Sequence, residues 1–96
     1  MTSKNVLNAC NEAGMITPCS SDYWKDGNCV KTNHIFDELS LDICSRGSTY
    51  KCQALQDLFG YMKHSWNSGA AYGIVANSGV SGNGYSNKWS LCARKN

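Results

Sequence analysis

The sequence predicts a small, disulfide-stapled α+β domain: three short helices, then a two- or three-stranded antiparallel sheet at the C-terminal end. Three observations carry this expectation. Six cysteines, at positions 10, 19, 29, 44, 52 and 92, form an even set spread through 96 residues, with no C-x-x-C pair. That usage points to disulfides in an oxidising compartment, not to zinc or a dithiol redox centre. Apolar residues recur at helical spacing up to Met62. From Trp66 to Cys92 the composition changes: five of the nine glycines and two of the three tryptophans fall there, among asparagines and serines, with no carboxylate. Such a mixture favours turns and short strands over a helix. Ninety-six residues are read as one domain, 1–96, whose core is modest enough to need staples.

The first helix is expected from about Ser3 to Ala13. Thr2 or Ser3 caps it, Val6, Leu7, Cys10 and Ala13 share one side, and Gly14 supplies a left-handed stop with Pro18 beyond. Residues 19–33 read as loop, with a tight turn at Asp26-Gly27 or Gly27-Asn28 and with Tyr23 and Trp24 covering the core. Asn33 is a suitable cap for a second helix, His34 to about Cys44, in which Ile35, Phe36, Leu39 and Ile43 keep helical spacing. Asp37 and Glu38 sit where the helix dipole favours negative charge, and Arg46-Gly47-Ser48 breaks the helix. A third helix is expected from Ser48 or Thr49, because Cys52, Leu55, Leu58, Phe59 and Met62 follow the i, i+3, i+4, i+7 rule.

Past Trp66 the period changes. The triplets Asn67-Ser68-Gly69 and Asn77-Ser78-Gly79 flank AAYGIVA, a candidate strand, and Gly82-Asn83-Gly84 is a further turn. Tyr85, Asn87, Trp89, Leu91 and Ala93 then alternate with Ser86, Lys88, Ser90, Cys92 and Arg94, a strand period. The alternation sets Cys92 opposite Trp89 and Leu91, so this strand is covered on both faces or carries a bulge.

A net charge of +2 makes no electrostatic case for nucleic acid or membrane. All seven acids lie between Glu12 and Asp57, and beyond them stand only Lys63, Lys88, Arg94 and Lys95, so a charged partner of the C-terminal part would be anionic. No apolar run is long enough to span a bilayer, and no signal-peptide pattern follows Met1. The expectation is a mature secreted, extracellular domain behind an initiator Met, and it rests on cysteine usage, since N-x-S/T acceptors are absent.

Catalytic and metal chemistry finds thin support. Asp22, Asp26, Gly27 and Asn28 approach calcium-loop offsets, but Trp24 occupies the third position and Asn33 the twelfth, where a bidentate Glu is required. No metal and no cofactor are expected. His34 and His64 with Lys63 would suit acid–base cleavage of RNA only if one cleft gathered them, and their spacing does not. Asp37, Glu38 and Asp42 read as solvated helix positions, not as a glycosidase pair. A binding role fits better, because aromatic rings stack on sugars or fill protein pockets while amides satisfy hydroxyls. The candidate binding residues are Trp66, Tyr72, Asn77, Asn83, Tyr85, Asn87 and Trp89, on a Gly/Asn/aromatic-rich C-terminal surface. About half of the aromatics are expected to be structural, and the deciding question is whether Trp66, Tyr72, Tyr85 and Trp89 are exposed on one face.

The runs AC-NEAGMITPC-SSDYWKDGNC and KCQALQDLFGYMKHSWNSGAAYGIV, with the closing WSLC, resemble a cysteine-rich extracellular domain of secreted and surface proteins from marine invertebrates such as cnidarians and lancelets. The likeness runs from Cys10 to Cys92 and lies in cysteine spacing. Relatives carry an additional cysteine pair in the glycine-rich region, where this sequence has residues such as Tyr72 and Val80. The resemblance implies secretion, disulfides and a modular role, and it carries no functional residues across. The expected function is extracellular recognition or adhesion, with glycan or extracellular protein as partner. A secreted toxin or host-defence protein is the alternative, and a small hydrolase such as a ribonuclease comes third.

Overall fold

The computed structural model describes residues 1–32, 34–45, 49–63 and 69–94. Helix α1 (Ser3–Glu12) begins with a reciprocal capping box. The Thr2 hydroxyl accepts from the Asn5 N–H, and the Thr2 N–H donates to the Asn5 side chain. Gly14, at φ 70, provides the left-handed exit. Helix α2 (Ile35–Cys44) starts differently from the expectation. The cap position is His34, in the left-handed region and without a side-chain cap bond, while Asn33 lies outside the described residues. The proposed break at Arg46-Gly47-Ser48 also lies outside them, and Ser45, at φ 66, ends α2. Phe36 and Ser40 face inward, whereas Ile43 is exposed. Cys44 must turn toward Cys52, and the residue before it on a 3.6-residue turn is thereby rotated outward.

The expected third helix is replaced by two 3-10 turns, Thr49–Lys51 and Gln53–Leu55, followed by strand β1 (Leu58–Gly60). Gln56 is extended and Asp57 adopts φ 65, so helical geometry stops before Leu58. The Asp57 N–H donates to Ile74 O and its carbonyl accepts from the Trp89 N–H, which launches β1 between two neighbours. Strands β2 (Tyr72–Val75) and β3 (Ser78–Ser81) form a hairpin whose turn residues Ala76 and Asn77 both have positive φ, the type I′ requirement. Ser78 and Gly79 therefore belong to β3, while Asn67 and Ser68 of the earlier triplet lie outside the described residues. Strand β4 contains Trp89–Ser90 alone, because Asn87 at φ 58 interrupts the alternating run before it.

The sheet order is β3-β2-β1-β4. It has four strands, not two or three, and it is mixed: β1 is antiparallel to β2 and parallel to β4. Each face carries its own core. Phe59 and Tyr61 pack with Val6 and Cys10 of α1 and with Ala71, while Leu58 and Ile74 pack with Phe36 of α2, Cys52 and Leu55. The end of β4 is covered on both sides, since Leu91 joins the α2 cluster and Cys92 the α1 cluster.

Three disulfides staple these layers: Cys10–Cys92, Cys19–Cys29 and Cys44–Cys52. No helix of the described residues is long and apolar enough to cross a membrane.

The strand glycines seat aromatic rings, which the turn reading did not foresee. A Cβ on Gly73 would clash with the Phe59 ring, one on Gly60 would lie 3.1 Å from the Phe36 ring, and one on Gly79 2.5 Å from the Tyr72 hydroxyl. A bare backbone at these points lets each ring lie down on the sheet.

Candidate functional site

A cleft of about 290 Å³ opens on the α2 side of the sheet. Its first wall is the segment Ser20–Trp24, held by backbone bonds on both sides. Ser20 N–H donates to Tyr61 O at 2.8 Å, and Ser20 O accepts from the Ile35 N–H at 3.2 Å, tying the end of β1 to the start of α2. Phe36 and Asp37 come from the first turn of α2, and Tyr72 from β2. The remaining wall is Thr49 and Tyr50, on the 3-10 turn that the Cys44–Cys52 disulfide draws against α2. Thr49 Oγ1 donates to Asp37 Oδ1 at 2.6 Å, and Gln56 Nε2 donates to Tyr50 O at 2.8 Å, which fixes this turn.

Aromatic rings and hydroxyls dominate the lining. The rings of Phe36 and Tyr72 meet edge to face, 5.5 Å apart at 77°. Burial pushes the Tyr72 phenol well above its ordinary range, and hydrogen bonding to Tyr50 raises it further. Tyr50 is 46% exposed and forms the accessible lip. Deeper in, Ser20 and Ser21 are only 5% and 4% exposed, and among the described residues neither hydroxyl has a hydrogen-bond partner. A buried hydroxyl left unpaired costs the fold about 1–3 kcal/mol. Trp24 lies at the edge, with Tyr23 stacked on it at 4.7 Å and Lys63 Nζ 5.8 Å from the ring centroid. Tyr23 itself is exposed and covers no core.

The sequence-derived candidates divide among different parts of the molecule. Tyr72 lines the cleft. Tyr85 is packed on the opposite face of the sheet, its ring 5.8 Å from that of Phe59. Trp89 registers with Leu58 on the edge strand and is 74% exposed. Asn77 is spent on the hairpin, its N–H donating to Gln56 Oε1 and its Oδ1 accepting from Gln53 Nε2. Asn83 and Asn87 are exposed, and Trp66 lies outside the described residues. The described members of the set therefore do not share one face.

The other chemistries are placed as follows. His34 lines the cleft, and His64 lies outside the described residues. Asp22 is held by Lys25 at 2.9 Å, which lowers its carboxyl below the ordinary value. Asp26 accepts from the Asn28 N–H and from the Tyr61 hydroxyl at 2.9 Å. Those bonds occupy the acids of the calcium-like loop, and Asn33 at its twelfth position lies outside the described residues. No group of three His, Cys, Asp or Glu side chains placed to hold a metal occurs among the described residues.

Sequence reasoning missed Ser20, Ser21, Thr49 and Tyr50. Their roles depend on burial and on the Cys44–Cys52 pairing, and neither shows in a local pattern. No protein-family model, curated protein or solved structure matches the chain.

Proposed function

We propose that this protein is an extracellular recognition module and that its α2-side cleft binds carbohydrate. The observation that carries the reading is an open cleft of about 290 Å³ walled by the aromatic rings of Phe36, Tyr50 and Tyr72 together with the polar residues Ser20, Ser21 and Thr49. A sugar offers an apolar ring face to Tyr50 and Tyr72 and hydroxyls to the polar lining beside them. The three disulfides support an extracellular setting. Compared with the surface expected from composition, the site moves from the glycine-rich end to its junction with α2, and Tyr72 belongs to both.

A glycan array with calorimetry on the hits tests this reading. The expected result is a saturable hit whose affinity falls about tenfold in Tyr50→Ala, with little change in stability. A panel without hits would sink it.

A further inference from the structure

Among the described residues that line the cleft, Asp37 is the one acid and there is no Lys or Arg. Among the described residues its carboxylate accepts from Thr49 Oγ1 and enters no ion pair. Position three of α2 makes this charge tolerable to the fold, because a helix N-terminus favours an anion. Lys63 lies over Trp24 and does not line the cleft, and His34 lines it as an exposed residue. Asp37 is exposed, and the rings of Phe36, Tyr50 and Tyr72 line the same cleft. Aromatic rings beside an unbalanced carboxylate favour a cation over a neutral or anionic group.

We propose that the cleft selects, within its glycan, a hexosamine unit carrying a free protonated amine. This deepens the carbohydrate reading and rests on it. The ammonium pairs with Asp37, and the sugar ring lies against the tyrosines. An N-acetylated unit loses the charge and adds an acyl group, while a uronic acid brings a second carboxylate toward Asp37. At about 290 Å³ the cleft sits near the lower end of ligand pockets, about 300–1,000 Å³, which suits one or two sugar units.

Calorimetry with four probes tests the assignment, at a pH where the amine carries its proton. The probes are glucosamine oligomers, N-acetylglucosamine oligomers of the same length, oligogalacturonate, and choline as an ammonium without a sugar ring. The expected order is glucosamine over N-acetylglucosamine by about tenfold, with oligogalacturonate weakest. The preference should shrink as salt is raised, and it should vanish in Asp37→Asn. N-acetylglucosamine binding as tightly as glucosamine to the unaltered protein overturns the inference and leaves the carbohydrate reading standing. So does a preference that survives in a folded Asp37→Asn variant. Choline matching the glucosamine series overturns the sugar assignment. Absence of binding to all three saccharide series overturns the carbohydrate reading itself.

Discussion

On the α1 face of the sheet, Val6, Cys10, Phe59, Tyr61 and Ala71 are exposed by 1% or less, and Cys10 is bonded to Cys92. The α2 face is built from similar material but is left open. Phe36 and Ile74 are buried, yet Tyr72 is half-buried, Tyr50 is exposed, and two serine hydroxyls are sealed in without partners among the described residues. The helices differ in the same sense. α1 has a complete capping box, whereas α2 enters through a left-handed His34 with no side-chain cap. One face is sealed for stability, and the other leaves aromatic rings exposed along an open cleft.

The largest separation of the two faces should come from the disulfides. Cys10–Cys92 closes 82 residues and Cys44–Cys52 closes 8. Chain entropy assigns them about 4.5 and 2.5 kcal/mol respectively. Replacing the first pair with alanines should lower the thermal midpoint far more than replacing the second. The second replacement should instead weaken ligand binding, because the Thr49–Tyr50 wall loses its tether.

Glycine substitutions should give the next effect. Gly73→Ala pushes a Cβ into Phe59 on the sealed face, and Gly79→Ala pushes one toward Tyr72 and Tyr50 on the open face. Each is expected to cost about 1–3 kcal/mol in urea denaturation. Ligand affinity should drop beyond the stability loss only for Gly79→Ala. A similar affinity loss in Gly73→Ala would erase the division between the faces.

Smaller changes are expected at the serines. Ser20→Ala and Ser21→Ala remove buried hydroxyls that lack partners among the described residues, so each should raise stability by up to about 1 kcal/mol. A loss of stability would show that those hydroxyls already serve the fold.

Alkaline pH gives the smallest signal, absent at neutrality. Burial raises the phenol of Tyr61 on one face and, more strongly, that of Tyr72 on the other. The folded state therefore holds both protons more tightly than the unfolded chain. The associated stability is full below the ordinary value of 10.0 and falls as pH rises above it. Thermal midpoints followed through this range should flatten more in Tyr72→Phe than in Tyr61→Phe.

Much of the sealed half was legible in the sequence. Thr2, Gly14 and the spacing of Val6, Leu7 and Cys10 define α1, and the even cysteine set anticipates full pairing. The stretch after Cys52 misled for a physical reason. A central strand buried on both faces reads as a continuous apolar run, and Leu55, Leu58, Phe59 and Met62 also satisfy a helical period. The readable clue is Gly60 inside LFGYM, a residue that weakens a helix and here admits the Phe36 ring. The open half was less legible. Asp37, Tyr50 and the serines come from separate segments, and their meeting depends on tertiary contacts that no sequence window contains.

The pairing of Cys10 with Cys92 also sets how the protein responds to proteases. The loops closed by Cys19–Cys29 and Cys44–Cys52 are nested inside the large ring and do not interlace with it. A single cut anywhere between residues 10 and 92 therefore leaves one covalent molecule, which separates into fragments only after reduction. In a protease-rich medium, the nicked chain would keep both sides of its cleft on one tether.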